Sequence, residues 1–233
     1  MRQAVAIDGP FIDPGIPDGE TSVYRGSVKG EIVGEGTLRV EAAADAYVQR
    51  IDMLALEELD YALELRFARR DGFIHAEHYA LRTHYRGEPV AVEEGWFRNV
   101  RVLHWGAELI SYPRDIAPLL GCAVALRGLD FAKGTRRTCS LWLANTVFWD
   151  LELRVERRED VEVPAGRYPA WRVRARPSFE QIGSALDKIV GALLPPFVLH
   201  FEASPPHRLL RFEFPTGPFR WNPRGVIEAV ALD

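Results

Sequence analysis

The chain has 233 residues, 47% of them hydrophobic, which is enough to bury one sizeable core without a disulfide or a structural metal. Its 29 basic and 33 acidic side chains are interspersed and leave a formal net charge of -4. With a sequence pI near 5.9 and no basic block, the composition excludes the electrostatic footprint of a nucleic-acid-binding protein.

The sequence shows no targeting or membrane signal. Met1 to Pro10 lack the apolar run of a secretory signal, and no window approaches the ~18 apolar residues of a membrane span. We therefore expect a soluble, cytoplasmic protein, or a periplasmic one if an export signal has been removed. The two cysteines, Cys122 and Cys139, are too few for a disulfide framework or a zinc site, and the sequence leaves open whether they pair.

The N-terminal region is rich in turn-forming residues. Residues 8–21 combine glycines and prolines with Asp-Pro and Pro-Asp-Gly sequences, which are typical of irregular chain. We predict an irregular arm over residues 1–21, laid on the surface, and a single antiparallel β domain over residues 22–233. Glycines at four positions within residues 22–41 indicate a first hairpin with bulges.

The clearest pattern lies between residues 60 and 86. Apolar residues occupy every second position from Tyr61 to Phe67, which predicts a strand. An Asp-Gly pair at residues 71–72 predicts a hairpin turn, and a further turn at residues 87–89 leads to the third strand of a meander. On the return strand, period two places these side chains on one face: Phe73, His75, Glu77, Tyr79, Leu81, Thr83 and Tyr85.

Later patterns predict further β structure. We expect a strand pair at residues 100–112 and a short helix at the start of the apolar stretch 115–126. Alternation continues over residues 140–162, and a Pro-Ala-Gly turn at 164–166 joins it to a strand at 170–176. Three final strands are predicted over Phe197 to Ala203, Leu209 to Phe214 and Val226 to Leu232.

One segment changes period. Between Ser178 and Leu194 the apolar residues recur every three and four positions, which predicts an amphipathic helix. Ser178 and Gln181 form a capping-box pattern at its start, and two prolines follow its end. Its apolar face, which includes Leu186, is wide enough to be buried along its whole length.

The hairpin over residues 159–173 has the sequence E-D-V-E-V-P-A-G-R-Y-P-A-W-R-V. It resembles the pattern E-x-V-x-V-P-A-G-x-F-x-A-x-x-V of the uncharacterised bacterial domain-of-unknown-function family three-one-zero-eight. Residues 115–134 and 206–214 resemble further segments of that family. The resemblance implies a single long, strongly curved antiparallel sheet, a half-barrel similar to that of the LolA and LolB lipoprotein carriers, with the helix of residues 178–194 on its concave face. It implies no catalytic residue.

Histidines and a glutamate form the densest polar group in the sequence. His75 and Glu77 share a strand face, whereas His78 and His84 point the other way. Because the spacing does not match a zinc-binding H-E-x-x-H helix, we predict no metal. One hypothesis is therefore an enzyme in which His75 and Glu77, with Tyr79, act as acid–base groups in a cavity, since a carboxylate tunes a histidine toward neutral pH.

Aromatic side chains favour a different function, the binding of a small apolar or lipid-like ligand between the concave sheet and the helix. A third hypothesis is a protein-interaction module that uses an exposed strand edge or the arm, with its oligomeric state left open. No nucleotide-binding glycine motif or nucleophile elbow is present, so we predict no cofactor. The predicted ligand-binding residues are Phe73, Tyr79, Tyr85, Trp149, Trp171 and Leu186.

Overall fold

A computed structural model describes residues 11–55, 58–97, 102–104, 107–110, 116–118, 121–144, 147–178, 195–217, 219 and 221–233. This part of the chain consists mainly of β-strands, which confirms the predicted fold class. The elements in chain order are β1 (Glu20–Val28), β2 (Glu31–Ala42), β3 (Ala46–Ala55), β4 (Leu59–Arg70), β5 (Phe73–Tyr85), β6 (Glu88–Trp96), β7 (Val102–His104), β8 (Ala107–Ile110), β9 (Ile116–Pro118), α1 (Ala123–Leu126), β10 (Arg136–Ala144), β11 (Val147–Val163), β12 (Gly166–Pro177), β13 (Phe197–Glu202), β14 (Leu209–Pro215) and β15 (Arg224–Leu232).

Thirteen of these strands form one sheet in the order β6-β5-β4-β3-β2-β1-β15-β14-β13-β12-β11-β10-β9, and β7 pairs with β8 separately. Only the β9–β10 pair is parallel among the described strands. The sheet curves so strongly that β9, at one edge, packs against β5, which is next to the other edge. On β10, the Trp142 ring lies 4.8 Å from the Tyr79 ring and 5.4 Å from the Phe97 ring. The result is a half-barrel with one curved inner face.

The predicted hairpins form where the turn residues allow them. Asp71 and Gly72 both have positive φ, +53° and +80°, as the tightest hairpin turns require. The predicted strand pair at residues 100–112 is present as β7 and β8. The final strands match β13, β14 and β15. Local turn chemistry therefore determines most of the strand order.

Antiparallel pairing gives the half-barrel two distinct ends. One end has the Asp71-Gly72 turn, the Pro164-Ala165 turn and the arm of residues 11–19, and we term it the closed end. The opposite end has the turns at residues 29–30 and 86–87 and the loop of residues 216–223, and we term it the open end.

The arm forms part of the closed end. The prediction that it lies on the surface is wrong for Phe11 and Ile16, which are only 3% and 4% exposed and belong to the main core. The Ile12 amide donates to the Gly128 carbonyl oxygen at 2.9 Å. A Cβ atom at Gly128 would lie 2.0 Å from the Ile12 oxygen, so the glycine is what allows this close approach.

The connection between β9 and β10 fills the inner face near the closed end. A Cβ atom at Gly121 would lie 2.2 Å from the Leu65 Cδ1 atom, and α1 buries Val124 and Leu126 in the main core. The stretch 115–126 was predicted to begin as a helix, and this is wrong: strand β9 comes first, and the short helix α1 lies at the end of the stretch. The other predicted helix falls on residues 179–194, which lie outside the described residues, so its packing against the sheet stays a prediction.

Candidate functional site

The three predicted acid–base residues do not share a face. A β-bulge in β5, opposite the step from Arg66 to Phe67, adds one residue to the strand. His75 and Glu77 therefore face outward, while Tyr79, beyond the bulge, points into the core and is 2% exposed. The expectation of one continuous face from Phe73 to Tyr85 is wrong for this physical reason, since strict alternation fails wherever a residue is inserted.

Glu77 is part of a ladder of charges on the outer face. Its carboxylate accepts a hydrogen bond from Arg66 Nε at 2.8 Å and lies 3.6 Å from an Arg70 nitrogen. At the next position of β5, the His78 Nε2 atom lies 3.0 Å from the Glu94 Oε1 atom on β6. Partly exposed pairs of this kind are typically worth up to about 1 kcal/mol. The geometry places Glu77 in ion pairs across the strands, on the other side of the sheet from Tyr79.

The predicted ligand-binding residues are dispersed over the sheet. Phe73 is half-buried beside the arm at the closed end, where it forms a β-bridge with Ile12. Tyr79 is in the core, and Trp171 packs against the core while partly buried. Two residues lie towards the open end: Tyr85 is 41% exposed and Trp149 37% exposed. Leu186 lies outside the described residues.

A polar network holds the arm against the closed end. The Tyr47 hydroxyl donates to Asp13 Oδ1 at 2.5 Å and accepts from the Ile16 amide at 3.0 Å. The Arg69 Nε atom donates to Asp13 Oδ2 at 2.7 Å, and the Gly15 amide donates to Oδ1 at 2.9 Å. Burial by itself raises the pKa of the Asp13 carboxyl, but these hydrogen bonds outweigh it and hold the pKa below its usual value.

This shift predicts acid sensitivity of the closed end. A carboxylate whose pKa is depressed in the folded state stabilises the fold fully above its unfolded pKa of about 3.9, and this contribution is lost as the pH falls through the folded value. We expect the free energy of unfolding to fall as the pH is lowered from about 5 to about 3, and to fall less in Asp13→Asn. Denaturant titrations at each pH measure the difference. The exposed-site variant Asp52→Asn is the control, and equal pH dependence in wild type and Asp13→Asn would contradict the assignment.

Burial of the inner face decreases from the closed end to the open end. Along β4, Phe67 and Leu65 are 1% and 0% exposed, Leu63 is 5% exposed, and Tyr61 is only half-buried. Along β13 the same gradient runs from the buried Phe201 at 0% to a half-buried Phe197. Close packing therefore fills the closed end of the half-barrel and leaves apolar surface at the open end.

Three phenylalanines line the inner face at the open end. The Phe197 and Phe212 rings are stacked with centroids 6.0 Å apart, and Phe214 lies 5.4 Å from Phe212. All three are half-buried, and Phe197 and Phe212 pack against the main core. A Cβ atom at Gly225 would lie 2.3 Å from the Phe214 ring, so the glycine provides space for that ring. We term Phe197, Phe212 and Phe214 the phenylalanine wall. The sequence analysis predicted these strands and missed the wall, although the F-E-F alternation of β14 indicates it.

A second concavity lies on the outer face of β1 to β5, with a volume of about 500 Å³. Its floor is the backbone around Gly36, and its sides include Asp52, Asp60 and His84. No group of three or more His, Cys, Asp or Glu side chains within the described ranges is placed to hold a metal ion. The groove is open and is lined by both polar and apolar side chains.

His200 is a buried histidine that the sequence analysis did not single out. Its side chain is 7% exposed, and Nε2 lies 3.0 Å from Glu159, which also accepts from Arg157 Nε at 2.7 Å. Burial lowers the pKa of His200, and the neighbouring Glu159 partly counteracts that effect. The ring connects β13 with β11 on the outer face, away from the phenylalanine wall.

Cys122 and Cys139 are not joined by a disulfide, and burial raises the pKa of Cys122 to about 12. Among the helices that the structure describes, none has the length and apolar character needed to cross a membrane.

No family model matches the sequence. No curated protein matches it either. Among solved structures, a β-barrel-like protein of the domain-of-unknown-function family DUF1849 from Brucella abortus is similar with a TM-score of 0.57 and 9% identity, over 93% of this chain and 97% of that one. A protein assigned as a lipoprotein from Parabacteroides distasonis gives a TM-score of 0.35 and 12% identity, over 97% and 100% of the two chains. An exported protein with a YmcC-like fold from Bacteroides fragilis gives 0.36 and 11%, over 96% and 99%. At 9% identity, the likeness to the DUF1849 protein concerns the fold alone, and that fold is the β-barrel-like one of a family whose function is not known.

Proposed function

We propose that the protein binds a small apolar or lipid-like molecule against the inner face of the sheet, at the open end. The observation that carries this proposal is the phenylalanine wall, whose rings are half-buried where the inner face at the closed end is fully packed. Ligand sites for apolar molecules are mostly concave and lined by aromatic side chains. A curved sheet that is filled at one end supplies such a surface at the other.

The predicted helix of residues 178–194 has a place in this proposal. The chain leaves β12 and enters β13 at the open end, so residues 178–196 connect two strands beside the phenylalanine wall. A helix there, with Leu186 on its apolar face, would form the second wall of the site. The similarity to the LolA and LolB half-barrels, implied by the sequence resemblance, is part of the same proposal. The enzyme hypothesis has no such support, because Tyr79 and Glu77 lie on opposite faces of the sheet.

Native mass spectrometry of protein purified from its own host tests the proposal directly. We expect a bound species of lipid-like mass that organic extraction removes. Protein that carries no such species, and that also fails to bind apolar probes, would overturn the proposal. Fractionation of the same cells would assign the protein to the cytoplasm or to the periplasm.

A substitution in the phenylalanine wall tests the location of the site. Phe212→Ala removes aromatic surface from the proposed site, and we expect the affinity for the apolar probe N-phenyl-1-naphthylamine to fall about tenfold, equivalent to about 1.4 kcal/mol of lost contact. Fluorescence titration gives the dissociation constant. The matched control is Phe73→Ala, which truncates another half-buried phenylalanine at the closed end. Equal affinities in the two variants would place the probe elsewhere.

A further inference from the structure

Exposed apolar side chains are concentrated at the open end. Of the ten large apolar residues that the described part of the chain exposes, Ile12 and Trp96 lie away from it, and Val92 lies within β6. The other seven lie in the open-end turns or within a few residues of them. Besides Phe219 and Trp221, they are Ile32, Leu54, Tyr85, Val90 and Trp149.

The most exposed of them form an aromatic pair at the tip of the β14–β15 loop. Phe219 is 51% and Trp221 79% exposed, and their rings are parallel within 4° with centroids 4.5 Å apart. Burying these rings would be favourable, so their exposure needs an explanation.

Hydrogen bonds join Phe219 to Asn222 and Thr216 to Pro223. The Phe219 amide donates to Asn222 Oδ1 at 2.9 Å, and the Asn222 amide donates to the Phe219 carbonyl at 3.0 Å. At its base, the Thr216 hydroxyl donates to the Pro223 carbonyl at 2.6 Å. The aromatic pair is therefore presented in advance of any contact, which lowers the entropic cost of binding.

The charge of this loop complements an anionic surface. Residues 215–225 contain no acidic residue, and Arg220 lies between the two aromatic residues in the sequence. Arg224 is already paired, since its Nε atom lies 3.5 Å from Glu213 Oε2. The outer groove of β1 to β5, in contrast, carries Asp52 and Asp60. Aromatic side chains beside arginines are the residues that favour the headgroup region of a bilayer.

We propose that the loop of residues 216–223 docks the open end of the half-barrel on an anionic lipid bilayer, with Phe219 and Trp221 inserted at the headgroup level. A bilayer fits better than a protein partner, because the remaining exposed apolar residues sit on separate turns around the end. A stable protein interface buries about 1,000 Å² or more of continuous complementary surface, whereas a bilayer accepts separate points of insertion. Membrane docking is independent of ligand binding, and the two can be tested separately.

Co-sedimentation with vesicles of phosphatidylcholine and phosphatidylglycerol tests the inference. We expect wild type to bind, and Phe219→Ser with Trp221→Ser to lower the partition coefficient at least about tenfold, since two apolar rings are lost. The matched control is Trp96→Ser, which removes an exposed tryptophan that is not at the open end. Vesicles of phosphatidylcholine alone should bind less, because Arg220 then lacks an anionic partner.

Quenching by brominated lipids gives a second measurement on the same protein. The quenching seen in wild type should decrease in Trp221→Phe, which keeps an aromatic ring and removes only the indole. Wild type that does not sediment with anionic vesicles, or a double variant that sediments as well as wild type, would overturn the inference. Thermal melts serve as the control for folding: a melting temperature equal to that of wild type would show that a variant retains the fold.

Discussion

Replacing Arg127 with methionine should lower the free energy of unfolding by about 3–5 kcal/mol, because it leaves a buried carboxylate without its partner. Arg127 donates from both terminal nitrogens to Glu20, at 2.5 and 2.8 Å, and from Nε to the Pro206 carbonyl at 2.7 Å. The two side chains are 4% and 3% exposed. Chemical denaturation of the variant measures the loss.

Two further variants separate the ion pair from packing. In the double variant Glu20→Gln with Arg127→Met, the uncompensated charge is gone, so we expect much of the stability to return. Arg86→Ala breaks an exposed pair with Glu58 and should change the stability far less. If Arg127→Met had the same free energy of unfolding as Arg86→Ala, the buried ion pair would contribute no more to stability than an exposed one.

This ion pair joins three parts of the closed end. Glu20 begins β1, Arg127 directly follows α1, and Pro206 lies in the turn between β13 and β14. The contact therefore couples the segment that fills the inner face to two strands of the sheet. The phenylalanine wall lies at the other end of the half-barrel. We infer that the closed end stabilises the fold, whereas the open end presents accessible apolar surface.

The sequence predicts the hairpins well because their causes are local. Alternation from Tyr61 to Phe67 and the Asp71-Gly72 pair each act within a few residues, and both appear in the structure as predicted. The strand order follows from short connections between neighbours. The curvature of the sheet was predicted only from a family resemblance, because no local sequence pattern determines how far a sheet bends.

The errors have long-range causes. The bulge in β5 inserts one residue opposite Arg66 and Phe67, and this insertion moves Tyr79 off the face of Glu77. The arm looks like surface chain because its glycines and prolines break regular structure, yet Phe11 and Ile16 find a core formed by distant strands. A one-dimensional pattern contains neither the inserted residue nor the distant partner.

The open end was also beyond local prediction. Phe219 and Trp221 are two positions apart in the sequence, but the exposed residues around them belong to strands that are far apart in the chain. Only the antiparallel topology brings their turns to one end. The phenylalanine wall likewise depends on the pairing of β13 with β14, which brings Phe197 on β13 next to Phe212 on β14.

Gly128 permits the contact that most directly fixes the arm. The Ile12 amide donates to its carbonyl, and the Ile12 oxygen occupies the space where a Cβ atom would be, at 2.0 Å. The blocking atoms are backbone, so no side-chain rotation relieves the clash. A matched control is Gly26→Ala, since the nearest atoms to a Cβ there lie 3.7 Å away.

We expect Gly128→Ala to displace the arm and to lower the free energy of unfolding by about 3–5 kcal/mol, since Phe11 and Ile16 would each lose roughly 1.5–3 kcal/mol of burial. Hydrogen exchange measures the displacement directly, because the amides of Ile12 and Ile74 are bonded to Gly128 and Phe11 across this contact. Both amides should exchange faster in Gly128→Ala and at the wild-type rate in Gly26→Ala. Unchanged exchange at both amides, together with an unchanged unfolding midpoint, would mean that the arm shifts without leaving the core, and that the closed end does not depend on this close approach.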